Sequence, residues 1–93
     1  MPWSDYDNQF KKVILVAKSV AGLTTMIDQQ QKKAAEARKK YDTSKKNEDY
    51  AVFSKACEAV MKGSKALTKE VAVLATEGSK LEKIMTAILK EKK

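Results

Sequence analysis

Few residues of this chain could take part in acid–base or thiol chemistry. Glu70 and Glu77 are one heptad apart on a predicted helix, and Cys57 is the single cysteine. The chain has no histidine, which is the commonest general base and the commonest neutral metal ligand. Glutamates on a helix flank with lysine neighbours are typical of solvated ion pairs rather than of a catalytic dyad. We therefore predict that the protein is not an enzyme and has no catalytic residue.

The motifs that hold cofactors, metals or nucleotides are missing from the sequence. One thiol cannot build a zinc-binding cluster, and the chain has neither a glycine-rich phosphate loop nor a serine nucleophile elbow. Cys57 falls within a row of apolar residues, which favours a buried structural thiol over a reactive one. We expect no cofactor, no metal site and no small-molecule substrate.

The element that must position these residues is a long helix with a heptad pattern. Its central row, which has an apolar residue at every seventh position, is Phe53, Val60, Leu67, Leu74, Leu81 and Ile88. A second row, offset by three or four residues, is Tyr50, Cys57, Ser64, Val71, Gly78 and Met85. Two such rows form one stripe along a helix that winds against a partner helix.

The first half of the chain carries a similar stripe, which runs from Tyr6 to Tyr41. Asp, Thr, Ser and Asn then gather before the second helix, and these residues are typical of turns and helix caps. The sequence predicts one domain over 1–93, with helix 1 over about 5–42, a turn over about 43–48 and helix 2 over about 49–90.

We predict an all-α fold, an antiparallel two-helix hairpin that resembles a coiled coil. In that fold, facing residues have numbers that sum to about 91, so that Phe10 faces Leu81 and Asp28 can pair with Lys62 across the hairpin. The alternative is a three-helix bundle, in which the second helix breaks near Gly63 or Gly78.

A lone pair of helices buries too little to be stable, so we expect a four-helix or larger bundle made by oligomerisation. The predicted partner is another copy of the chain or another helical protein. The residues expected to form the self-association interface are Trp3, Ile14, Val16, Leu23, Val73, Ile84 and Leu89. A row of small residues, expected to admit a further helix at close range, is Ala56, Ala59, Gly63 and Ala66.

Net charge supports a second hypothesis. The chain carries +7, and residues 11–46 alone carry that much. A predicted lysine-rich face that would meet an anionic membrane or nucleic acid comprises Lys11, Lys12, Lys18, Lys32, Lys33, Lys39 and Lys40. Because Arg38 is the only arginine and no aromatics are interleaved with the lysines, base-specific recognition is disfavoured.

The start of the chain lacks the basic and apolar regions of a cleaved signal peptide, and no apolar run is long enough to span a bilayer. We expect a soluble protein that is cytoplasmic or exported by a signal-independent route. In length and outline the chain resembles small secreted helical hairpins with a Trp-x-Gly turn and the shorter needle subunits of type III secretion. That resemblance implies a secretion-system substrate or subunit. The turn has no Trp-x-Gly and no tyrosine-based export signal follows it, so we assign no family.

Overall fold

The computed structural model describes residues 3–91, and these residues form two long helices. Helix α1 spans Trp3–Ser44 and helix α2 spans Asn47–Glu91. The two helices pack against each other as a hairpin, and no strand is formed within the described range. The predicted hairpin is therefore confirmed, with helix ends that lie up to two residues beyond the predicted ones.

The alternative of a three-helix bundle is wrong. Helix α2 runs through Gly63 and Gly78 without a break. One glycine inside a helix costs only about 1 kcal/mol relative to alanine, which a long amphipathic helix offsets by packing.

The connection between the helices is only two residues long. Lys45 has a positive φ of 56°, and its N–H donates to the carbonyl oxygen of Tyr41 at 2.8 Å. This left-handed residue directly after Ser44 is a standard way to end a helix. The Ser44 hydroxyl accepts from the Lys46 N–H at 3.2 Å and donates to the Asp49 carboxylate. Together these bonds close α1 and open α2, as the cluster of polar residues predicted.

Two compact units divide the described chain, and each contains a segment of both helices. The terminal unit comprises residues 3–21 and 68–91, and the turn unit comprises Gly22–Leu67.

In the turn unit, small residues bring the helices close together. Ala37 and Ala56 are each 4% exposed, and Gly63 is buried. A Cβ added at Gly63 would lie 2.7 Å from Met26 Cε and 2.9 Å from Ile27 Cγ1. The hydrogen atom of Gly63 is therefore the largest group that the space beneath Met26 and Ile27 accepts without a shift.

In the terminal unit, the helix contact contains polar residues. Gln9 is 7% exposed, and Leu81 and Ile88 are buried nearby on the central row of α2. Within residues 3–91 no large side chain is completely buried. The core of this unit is therefore thin, because its apolar residues are covered on one side only.

Candidate functional site

The central row of α2 faces the hairpin contact, as predicted. Leu81 and Ile88 are buried, and the remaining members are half-buried: Phe53, Val60, Leu67 and Leu74. The large residues of this row therefore keep part of their apolar surface exposed to water.

The row that completes the contact differs from the predicted one. The sequence placed the row from Tyr50 to Met85 in the contact, but Tyr50, Val71 and Met85 are 55%, 47% and 41% exposed. The contact uses the opposite flank of the central row, where Ala56 and Gly63 are buried. Both helices are thus rotated so that small and polar residues meet, while the more apolar flank stays outside.

The same rotation exists on α1 in the terminal unit. Gln9 is buried on the contact side, whereas Phe10 is 41% exposed and Trp3 is 54% exposed. Trp3, Tyr6 and Phe10 contact one another along the helix, edge-to-face and tilted, with ring centroids 6.1 Å and 5.7 Å apart. Large aromatic side chains of this kind are enriched among the residues that anchor protein interfaces.

We name the outer flank of the terminal unit the uncharged face. It comprises one heptad row from each helix, and its members are Trp3, Phe10 and Ala17 of α1 with Val71, Gly78 and Met85 of α2. One third of the whole chain is charged, yet none of these six positions is. Sequence reasoning assigned Phe10, Ala17 and the α2 row to the inside of the hairpin by their periodicity, whereas it placed Trp3 at the self-association interface.

The residues predicted to mediate self-association fall into two groups that differ in exposure. Four of them are more than a third exposed: Trp3, Ile14, Val73 and Leu89. The other three are half-buried on the rows that make the hairpin contact: Val16, Leu23 and Ile84. These three therefore contribute mainly to the hairpin itself.

The predicted row of small residues is also placed differently. Ala56 and Gly63 are covered by α1, so the helix that approaches them closely belongs to the same hairpin. Ala59 and Ala66 are half-buried beside them. No space for a further helix remains at Ala56 and Gly63.

The environment of Glu77 changes the chemistry of its carboxyl group. The Gln9 amide donates to the Glu77 carboxylate and, at 2.8 Å, to the Glu77 carbonyl oxygen. The pKa of the Glu77 carboxyl is lowered, chiefly because of the Gln9 hydrogen bond and then because of Lys80, which lies 3.4 Å away, while desolvation opposes the shift. This carboxylate stays ionised and accepts hydrogen bonds, which is a structural role rather than that of a general acid.

The lysine-rich face lies on the surface, since all seven of its members are exposed: Lys11, Lys12, Lys18, Lys32, Lys33, Lys39 and Lys40. Lys32 forms an ion pair with Asp28 at 3.3 Å within α1, with both side chains mostly exposed. Exposed pairs of this kind contribute about 0.3–0.5 kcal/mol.

Three other observations concern ligands and membranes. Cys57 is half-buried rather than fully buried. No group of three or more Cys, Asp or Glu side chains among residues 3–91 is arranged to hold a metal ion. Over the same residues, neither helix has a stretch that is long and apolar enough to cross a membrane.

Comparisons with protein-family models, with curated proteins and with solved structures gave no match.

Proposed function

We propose that this protein functions by protein–protein association, and that its main partner is another copy of itself. The observation that carries the proposal is the amount of surface that one hairpin exposes. A folded monomer of 10.4 kDa has an accessible surface of about 5,400 Å². The hairpin has 7186 Å².

The surplus of about 1,800 Å² has the size of an interface. Obligate homodimers bury about 1,000–2,500 Å² per chain. Large apolar side chains contribute to the exposed surface, and Trp3 and Leu89 are 54% and 67% exposed. Soluble monomers rarely expose apolar patches larger than a few hundred Å², so exposed side chains of this size support an interaction surface.

The molecular mass in solution, measured by sedimentation against concentration, tests this proposal. We expect a mass of at least two chains at the upper end of a range of about 1–200 µM, which falls towards that of one chain on dilution. Reversing the charge of Lys11, Lys18 and Lys32 provides the control, and the mass should not change. A stable, folded monomer throughout that range would refute self-association.

A second candidate function is electrostatic binding of anionic membranes or nucleic acid. The exposure of all seven lysines of the lysine-rich face favours it. Its test is binding to anionic vesicles and to duplex DNA at about 0.05 and 0.3 M salt, because screening removes non-specific binding. Charge reversal of Lys11, Lys18 and Lys32 should abolish such binding. Retention of binding in that variant would exclude the lysine-rich face.

A further inference from the structure

We propose that a second copy of this chain covers the uncharged face of the terminal unit, in a two-fold arrangement that places four helical segments around one core. This inference rests on the proposed self-association and names the surface that carries it. The sequence had distributed the interface over both flanks of the hairpin. The structure leaves one flank suited to it.

The first argument is the asymmetry between the two flanks of the terminal unit. The flank that the hairpin uses for its own contact carries three polar residues, Gln9, Glu70 and Glu77, beside the apolar Val16 and Ile84. The flank that it leaves in water carries Phe10 and Val71, at 41% and 47% exposed, and no charged residue. A hairpin that functioned alone would be expected to bury the more apolar flank and hydrate the more polar one.

The second argument is the half-covered central row. Leu74 is half-buried on the row that lies between the two flanks of α2. Helices of a four-helix bundle contact one neighbour through one flank, another neighbour through the other flank, and point the central row at the bundle axis. In the terminal unit the first neighbour is the other helix of the hairpin, and the second is missing. A second hairpin on the uncharged face supplies it.

The third argument is charge, which selects the occupant. The rows just outside the uncharged face carry Asp7 on α1 and Glu82 on α2, and in the terminal unit they carry no lysine. Lys11 lies beside Phe10 but beyond these rows, so an anionic membrane or a nucleic acid would meet no cation on the face itself or on the rows next to it. A two-fold axis places the uncharged face of one copy on that of the other, so no complementary charge is needed, and the acidic rim stays hydrated.

The residue types of the face also suit an interface. Trp3, Phe10 and Met85 supply the aromatic and methionine side chains that are enriched at the centres of interfaces.

The experiment compares charged substitutions on and off the uncharged face. Phe10→Glu and Val71→Glu lie on it, while the matched controls Leu15→Glu and Val73→Glu replace apolar residues that are 66% and 43% exposed elsewhere in the same unit. We expect each variant on the face to weaken the dimer by about 100-fold in dissociation constant. The controls should stay within about threefold of the unmodified protein.

Acrylamide quenching of the single tryptophan gives a second readout on the unmodified protein. We expect Trp3 to be shielded in the dimer and to become accessible on dilution, at the same concentration at which the mass falls. If a variant unfolds, this measurement on the unmodified protein still tests whether the uncharged face forms the dimer contact. Helical circular dichroism, recorded alongside, separates dissociation from unfolding.

The outcomes distinguish the face from the proposed function. One outcome is that the unmodified protein is a dimer, that both variants on the face remain dimers and that Trp3 stays accessible. In that case the proposed face is wrong, and self-association stands. If the unmodified protein is a monomer at all concentrations, both are wrong. If that monomer binds phosphatidylserine vesicles and Phe10→Glu abolishes the binding, the occupant is a lipid surface and the inference is overturned.

Discussion

Gln9 reaches from α1 to Glu77 of α2 and donates hydrogen bonds to both its carboxylate and its backbone carbonyl oxygen. Gln9 is nearly buried, so its amide would lack partners if the helices slid past each other by one turn. The expected register, with facing numbers that sum to about 91, would have placed Glu82 opposite Gln9. The Gln9–Glu77 contact has a sum of 86, so the long Gln9 side chain reaches along α2 from the predicted position. In the turn unit, Gly63 lies against Met26 and Ile27, with sums of 89 and 90 that are close to the predicted 91.

We expect the free energy of unfolding to decrease as the pH is lowered, and we expect Glu77 to account for part of this decrease. The folded pKa of Glu77 is lowered, so its ionisation stabilises the fold above the unfolded value of about 4.3 and this contribution is lost as pH falls through the folded value. Urea unfolding at neutral and acidic pH should show that Glu77→Gln loses less unfolding free energy on acidification than the unmodified protein does. Glu82→Gln, at an exposed glutamate, is the control. Equal pH dependence in the two variants would contradict this role.

Gly63 should tolerate a side chain poorly, whereas Gly22 should accept one. A Cβ at Gly22 meets nothing within 4 Å, so Gly22→Ala should stabilise by about 1 kcal/mol through helix propensity. At Gly63 the Met26 methyl can move aside, but Ile27 is stiff at the Cγ1 position. Overpacking of this kind costs about 1–3 kcal/mol, so Gly63→Ala should be at least about 1 kcal/mol less stable than Gly22→Ala. Chemical denaturation measures both, and equal stabilities would show that the helices separate freely at this level.

Lys45 is predicted to be a site of stored strain. A non-glycine residue with φ near +56° costs about 1–2 kcal/mol in the left-handed region. The Lys45 ammonium also lies 5.6 Å from the centre of the Tyr41 ring, and any truncation removes that contact. The comparison is therefore between Lys45→Gly and Lys45→Ala, which both lose it. We expect the glycine variant to be more stable by about 1 kcal/mol in urea unfolding, and a difference near zero would mean that the turn relaxes.

The melting temperature should depend on protein concentration if hairpins associate. For a two-chain complex, each tenfold increase in concentration raises the melting temperature by about 3–5 °C. The same scan on Phe10→Glu should show a lower melting temperature, which begins to rise only at about 100-fold higher protein concentration. A constant melting temperature for the unmodified protein would oppose self-association without any need for a mass measurement.

The elements of the fold were predictable because their signals are local. Heptad rows, a polar turn and the absence of a break between Phe53 and Ile88 specify two helices and one reversal. The rotation of each helix was not predictable from apolar spacing, because the central row has a usable flank on either side. Close approach at Gly63 decides in favour of the flank with small residues, although the other flank is more apolar. Asp28 likewise pairs with Lys32 of its own helix and not with Lys62, since exposed charges add too little energy to determine a partner.

Trp3 and Glu91, the first and last residues that the structure describes, belong to the same unit as the uncharged face. An affinity tag or a fluorescent protein fused at either end would therefore be attached to the unit that we expect to dimerise, and its bulk would mask that behaviour. Lys45 and Lys46 belong to the other unit. A dye can be coupled to a cysteine engineered at position 46, in a background where Cys57 is replaced by serine. This label leaves the terminal unit unmodified.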